Sequence, residues 1–257
     1  GGGPPADISR ALAGACFDCV VDNNGKDIEA VGPVLDFAKA CGAKQLLFVS
    51  SCGIYRATGA VPHLEDDPVK ADAGHVGVED ALAASGLAWA SFRPQYISGY
   101  GSNKDCEEWF FDRVSRGRPV PIPGSGDNLC NIANAEDLGE MMALAVGHPM
   151  AAGIFNCVHN QGITHDAMVA LCAKVMGREC PPIVHYDPKV VGGKKAFPFR
   201  PMHFYAQPVK AQNILGWMPK WTLEETLKRR WQVYQSLRRE SKEIDFSLDD
   251  QILARMR

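Results

Sequence analysis

His75 and Glu79 carry the clearest acid–base spacing in the chain. At i and i+4 they share one helix face, and a histidine oriented by a carboxylate can act as general base toward a hydroxyl or a water. The same spacing also makes a plain ion pair worth about a few tenths of a kcal/mol. Two groups of carboxylates could hold a divalent ion with part of its water shell: Asp105, Glu107 and Glu108, and the run Glu65-Asp66-Asp67. Neither spacing is diagnostic, since acidic residues in a first helical turn complement the helix dipole anyway and 65–67 also reads as a solvated loop. The segment 194–205, KKAFPFRPMHFY, alternates Lys194, Lys195 and Arg200 with Phe197, Phe199, His203, Phe204 and Tyr205. Cations for phosphate and rings for unpaired bases suit single-stranded or loop RNA; the same rings can equally pack as core.

The nine cysteines are an odd number without repeating spacing. Cys41, Cys52, Cys157 and Cys172 sit in apolar runs, as expected of reduced core thiols in a reducing compartment. The pair Cys16-x-x-Cys19 lies in a strand pattern with no second pair and no helix opening after it, so buried thiols are expected there in place of zinc or redox chemistry.

These residues need elements to position them. FDCVVDNN (17–24), KQLLFVSS (44–51) and LAWASFRP (87–94) read as strands, separated by helices over 26–41, with Ile28, Val31, Leu35 and Ala38 at helical spacing, and over about 75–85. That alternation predicts one half of a doubly wound parallel α/β sheet. After Pro94 a helix is expected beyond Asn103, then a Pro/Gly connection at 118–128. Further helices are signalled by Asn134 with Asp137, by Thr164 ahead of Met168, Leu171, Cys172 and Val175, and by the capping box Thr222-x-x-Glu225. Short strands are expected at 153–158 and 182–187. The pattern divides the chain into a partial Rossmann-type domain over 1–95 and a mixed region over 96–257, of which 119–158 partly returns to the sheet and the rest forms a smaller C-terminal α+β subdomain.

At 257 residues, 46% hydrophobic and 22% charged with a net charge of −3, the composition is that of a folded globular protein and excludes a disordered chain. No apolar run reaches the roughly 18–20 residues of a membrane span, so membrane insertion is not expected. Residues 189–257 hold 14 Lys+Arg against 7 Asp+Glu, a basic pole of +7 that leaves 13 basic and 23 acidic residues, −10, for 1–188. Such a pole raises the prior for a polyanionic partner. The helix expected over 222–240 buries Leu223, Leu227, Trp231 and Tyr234 and shows Lys228, Arg229, Arg238 and Arg239, which either extend a basic track or keep the helix soluble.

A dinucleotide fingerprint, G-x-G-x-x-G after a first strand, is missing. Gly1 to Gly3 run into Pro4-Pro5, and Gly124-Ser125-Gly126 reads as a turn. The chain thus reads as beginning in mid-sheet, and roughly 80 to 100 further residues are expected in the native protein to supply the first strands of a Rossmann half.

LLFVSSCGIY (46–55), FRPQYISGYG (92–101), PVPIPGSGDNLCNIANAEDL (119–138) and IFNC (154–157) resemble the extended short-chain dehydrogenase/reductases, the family of nucleotide-sugar epimerases and dehydratases. HVGVED, NKDCEEWFFDR and KKAFPFRPMHFYA are more closely similar to the plastid stem-loop RNA-binding proteins, a non-dehydrogenase branch. The resemblance implies an atypical Rossmann-type fold. In place of the family's Tyr-x-x-x-Lys stand His75-x-x-x-Glu79, while Ser51 occupies the place of its catalytic serine, so no NAD(P) chemistry is expected. The same resemblance implies RNA binding in the chloroplast and divalent-metal (Mg²⁺) endoribonuclease activity on stem-loops, serving transcript stability and ribosomal RNA metabolism. His75, Glu79 and Ser51 are then the catalytic candidates, Asp105, Glu107 and Glu108 the metal candidates, and Lys194, Lys195, Phe197, Arg200, His203 and Tyr205 the RNA contacts. Implied partners are RNA, a plastid ribosome or transcription complex, and homologous subunits. The alternatives are a catalytically silent scaffold subunit of such a complex and a nucleotide binder using Asn23, Asn24, Ser51 and Arg93.

Overall fold

The computed structural model describes residues 10–12, 14–99 and 106–256. In chain order its elements begin with β1 (Cys19–Asp22), α1 (Ile28–Ala40), β2 (Gln45–Val49), α2 (Gly74–Ala83), β3 (Ala88–Pro94), β4 (Tyr96–Ser98) and α3 (Cys106–Val114). They continue with β5 (Val120–Pro123), β6 (Leu129–Cys130), β7 (Ile132–Asn134), α4 (Ala135–Ala145), β8 (Gly153–Cys157), β9 (Ile163–Thr164) and α5 (His165–Met176). Last come β10 (Ile183–Tyr186), α6 (Val209–Leu215), α7 (Leu223–Ser236) and α8 (Ser247–Arg255).

Apolar runs pair in parallel where helices carry the chain back between them. The sheet order is β1-β2-β3-β8, with Val20 beside Leu46, Leu46 beside Trp89, and Phe92 beside Phe155. This is a Rossmann-type α/β arrangement. Val31, Leu35 and Ala38 of α1 pack with Val78 and Leu82 of α2 on Leu46 and Phe48 of β2. Ile28, expected in that stripe, is exposed; it is the first residue after the N-cap Asp27, whose carboxylate accepts from the Ala30 amide at 3.0 Å. The buried Gln45 ties the start of β2 to the end of α4, donating to the Ala145 carbonyl and accepting from the Gly147 amide, both at 2.9 Å.

Two units divide the chain: residues up to Gln95 with Leu138–Val158 and Ala206–Met218, and Tyr96–Asp137 with His159–Tyr205 and Pro219–Arg257. Residues 206–218 join the sheet unit through α6, a return that no periodicity announced. There Lys210 donates to the Ala152 and Ile154 carbonyls at 3.2 and 2.7 Å and lies over the Phe155 ring.

In the second unit α3, α5 and α7 pack on one another, and Phe110, Phe111, Ile122, Met168, Cys172, Phe197, Phe199, Leu227, Trp231 and Tyr234 belong to one buried core. Three strand pairs flank it: β5 with β10 and β4 with β7, both parallel, and β6 with β9, antiparallel. The expected capping box forms, Thr222 Oγ1 accepting from the Glu225 amide at 3.2 Å and Glu225 accepting from the Thr222 amide at 2.9 Å. Helix α7 stops at Ser236, short of the expected 240, because Arg238 turns left-handed at φ 51° and sends Arg239 inward to Glu108 and Asp112.

All nine cysteines are free. Four are core thiols (Cys52, Cys130, Cys157, Cys172), but Cys41 and Cys19 are half-buried and Cys16 is exposed, so the Cys16/Cys19 pair is not core as its strand pattern suggested. Among the described residues no helix is long and apolar enough to cross a membrane.

Leu46 is fully buried between the sheet and α1. Leu46→Ala is expected to cost about 2–5 kcal/mol through lost transfer energy and the cavity left behind; urea unfolding followed by circular dichroism checks this, and a loss below about 1 kcal/mol contradicts the packing.

Candidate functional site

Open α/β sheets present ligands to the carboxyl ends of their strands. Here β2 runs out into Ser51, whose hydroxyl accepts from the Gly53 amide at 3.0 Å and caps the 3₁₀ turn Cys52–Ile54. Strand β3 ends with Arg93, 2% exposed, and β8 brings Asn156, fully buried. A guanidinium held away from water needs a carboxylate. Glu79 of α2 supplies it: Arg93 Nη2 donates to Oε2 at 2.6 Å and Nε to Oε1 at 3.0 Å, while Ser91 Oγ adds a third bond at 2.8 Å. Above the pair, the Tyr55 hydroxyl donates to Asn156 Oδ1 at 2.7 Å and the Arg93 guanidinium lies 4.8 Å from the Tyr55 ring centre. Asn156 in turn donates its amide to Glu65 at 2.9 Å and its side-chain nitrogen to the His63 carbonyl at 3.1 Å. His63 stacks on Tyr55 with ring centres 4.9 Å apart and bonds Asp67 at 2.9 Å. Burial pushes the Tyr55 phenol well above its ordinary pKa. The carboxyl edge around β3 and β8 is therefore filled by the protein's own side chains. Tyr55 and Asn156 stand in motifs that carried the family resemblance, but no spacing marked them as partners, because they lie about a hundred residues apart in the chain.

This arrangement corrects the reading of His75 and Glu79. Both oxygens of Glu79 are bonded to Arg93 and Ser91, so Glu79 does not orient His75, and the pair is neither a catalytic dyad nor the simple helical ion pair. His75 is half-buried with its ring 6.0 Å from that of Phe48. Burial lowers its pKa, opposed by the nearby charges of Glu79 and Asp27. Gly74 permits this placement: a Cβ there would stand 2.5 Å from the Lys26 carbonyl oxygen, so any side chain would force the 23–27 loop away from the start of α2. Ser51 is a cap. Arg93, weighed as a nucleotide contact, is a buried structural cation.

The metal candidates are likewise occupied. Asp105 lies outside the described residues. Glu107, 1% exposed, accepts from Ser98 Oγ at 2.6 Å and Arg230 Nε at 2.9 Å. Glu108 pairs with Arg230 at 3.4 Å and with Arg239 at 2.5 Å. These carboxylates point into the core of their unit, not outward as first-turn charges complementing a dipole. In the run 65–67, Glu65 and Asp67 are bonded as above and Asp66 is exposed. Among the described residues no group of three or more His, Cys, Asp or Glu side chains is placed to hold a metal, and Glu107 and Glu108, turned to arginines, do not fit one.

Segment 194–205 splits by residue type. Lys194, Lys195 and His203 are exposed, and His203 Nδ1 accepts from the Leu129 amide at 3.1 Å. Arg200 is half-buried, its amide donating to the Tyr96 hydroxyl at 2.8 Å and its guanidinium over the Phe204 ring. Phe197 and Phe199 are 6% and 4% exposed; their rings meet Phe110 and His165, and that of Phe197 also meets Trp109. Phe197, expected to stack on a base, is an anchor in the core instead, because flanking prolines do not stop alternate rings from turning inward. Tyr205 is half-buried, its hydroxyl donating to the Asn160 carbonyl at 3.4 Å. On α7, Lys228 pairs with Glu224 at 2.8 Å and Arg229 with Glu136 at 3.0 Å, which removes them from a free basic track.

His165, fully buried under Phe197 and Phe199, has neither ring nitrogen bonded among the described residues. Burial lowers its pKa to about 4, with Asp166 pulling up and His203 pushing down.

The model of the NAD dependent epimerase/dehydratase family matches residues 22–157. The chain is 37% identical over 254 residues to the chloroplast stem-loop binding protein of 41 kDa b of Arabidopsis thaliana, covering 96% of this chain and 67% of that one. In fold it is similar to a UDP-glucose 4-epimerase of Thermotoga maritima, with a TM-score of 0.70 at 20% identity over 91% of this chain and 82% of the other. A dTDP-glucose 4,6-dehydratase of Bacillus anthracis gives 0.73 at 14% identity over 92% and 78%.

Two outcomes follow from these environments. Glu79→Ala, which leaves Arg93 buried without its carboxylate, is expected to destabilise the protein by about 3–5 kcal/mol; a thermal melt unchanged from wild type contradicts the pairing. Because the folded state holds His165 neutral down to about pH 4 whereas the unfolded chain protonates near 6.5, stability is lost as pH falls through that window, by up to about 1.4 kcal/mol per pH unit from this residue. Denaturant titrations at several pH values should show a flatter acid limb for His165→Leu than for wild type, and parallel limbs count against it.

Proposed function

The chain belongs to the NAD dependent epimerase/dehydratase family, and we propose that within it this protein is a plastid RNA-binding protein whose finer activity is metal-dependent cleavage of stem-loop RNA. The observation that carries the reading is the 37% identity with a chloroplast stem-loop binding protein over nearly the whole chain. The exposed Lys194 and Lys195, with half-buried Arg200, offer the cations that phosphate contact needs, on a segment whose rings anchor it. Nicotinamide chemistry stays outside the reading: no tyrosine–lysine pair stands on α2, and the carboxylate found there is spent on Arg93.

For cleavage the candidate base is His75, whose half-burial disfavours the protonated ring and which could accept a proton from a 2′-hydroxyl or a water. Glu79 and Ser51 have no part in that step. Glu107 and Glu108, committed to arginines, are not the residues that would hold Mg²⁺. The commitment of these acids to arginines favours a second reading, a catalytically silent RNA-associated subunit of a plastid ribosome or transcription complex.

The test is binding and cleavage of a labelled stem-loop RNA, with Mg²⁺ or EDTA, at several salt concentrations. Wild type should bind with strong salt dependence, and Lys194→Ala/Lys195→Ala/Arg200→Ala should weaken binding about tenfold or more while flattening the salt slope. His75→Ala should keep binding and lose Mg²⁺-dependent cleavage. Binding without cleavage in wild type leaves the silent-subunit reading standing, and no binding at low salt overturns both.

A further inference from the structure

Helix α8 presents Leu248, Gln251, Ile252 and Arg255 at i, i+3, i+4 and i+7, a single stripe ending in a cation. Ile252 is buried, Leu248 half-buried, and Gln251 and Arg255 exposed. Opposite it runs the 3₁₀ turn Pro188–Val191, which leads through Gly192 into Lys194. Between them lies a cleft of about 210 Å³ lined by Val190, Val191, Gly192, Lys194, Leu248, Gln251, Ile252 and Arg255. Its floor is aliphatic, its rim carries two cations and an amide, and no carboxylate lines it. Arg255 Nη1 donates to the Val190 carbonyl at 2.5 Å, which ties the guanidinium to the opposite wall of the cleft through one of its five N–H groups. The neighbouring acids are otherwise engaged: Asp249 with Arg113, Asp250 with Arg118, and Asp187 with the Lys189 amide.

We propose that this cleft takes one unpaired nucleotide of RNA, its base against Leu248, Ile252 and the Arg255 plane and its phosphate at Lys194 and Arg255; the inference rests on the RNA-binding reading and adds a residue-level pocket to it. Size suits one base: the cleft's about 210 Å³ lies below the roughly 300–1,000 Å³ of sites for drug-sized ligands. Charge argues for a polyanion, since two cations around an apolar floor with no acid repel other cations and match a phosphate beside a flat ring. Gln251 supplies both a donor and an acceptor, which serves any base edge with little sequence preference. The sequence analysis singled out 194–205 and passed over α8, because a lone Arg255 shows its place only once the helix folds against the 188–194 turn.

The experiment uses the full chain with two fluorescent RNAs of equal length, a hairpin with an unpaired loop and a fully paired duplex, titrated by anisotropy between low and physiological salt. Arg255→Gln, an exposed and conservative change, and Leu248→Ser should each weaken hairpin binding about fivefold or more. Duplex affinity should change by less than twofold. Lys194→Gln/Arg255→Gln should also flatten the hairpin's salt slope by about 1.4, two phosphate contacts at roughly 0.7 each for single strands. Melting curves confirm that each variant is folded, and Arg255→Gln carries the test should Leu248→Ser unfold. Unchanged hairpin affinity in Arg255→Gln overturns the pocket while leaving RNA binding in place, as does an equal loss on hairpin and duplex, which marks Arg255 as a general phosphate contact. Wild-type protein that binds neither RNA at low salt overturns the pocket together with the reading it rests on.

Discussion

Arginine desolvation is the constraint on which the rest of this structure depends. Arg93 and Arg113 are 2% and 6% exposed, and each is met by both oxygens of one carboxylate, Glu79 and Asp249. Arg230, 8% exposed, meets Glu107 and Glu108. Leaving one such charge alone costs several kcal/mol, so the acids are not available for other work. In the sheet unit this locks α2 to β3 and gathers Tyr55, Asn156 and Glu65 over the carboxyl edge. In the second unit it joins α3 to α7 and to the chain after α7.

At the sheet edge around β3 and β8, Arg93 is bonded to Glu79 and Tyr55 to Asn156. The basic segment behaves differently: its apolar rings enter the core and its lysines stay in water. Lys194 belongs both to that segment and to the lining of the α8 cleft, within a single unit.

Family membership and local chemistry are thus separate facts about the chain. Its fold is shared with nucleotide-sugar enzymes at 14–20% identity, a likeness that speaks for backbone architecture alone. Which side chains reach solvent is a separate matter: Glu79, Glu107 and Glu108, selected by spacing, are buried, whereas Lys194, Lys195 and His203 are exposed as their segment suggested.

Periodicity alone determined the strands at 19–22, 45–49, 88–94 and 153–157, the helices between them and the capping box at Thr222, since each is set by residues within a few positions of one another. Segment 194–205 was legible as cationic and aromatic for the same reason. Tertiary structure decided the partners: that Glu79 serves Arg93 fourteen residues away and not His75 one turn away, that Glu107 and Glu108 turn to Arg230 and Arg239, that Phe197 is core, and that Arg255 shares a cleft with Lys194. A side chain's direction is settled by which desolvated charge or apolar surface it must meet. That quantity lies between distant segments, and no spacing along the chain contains it.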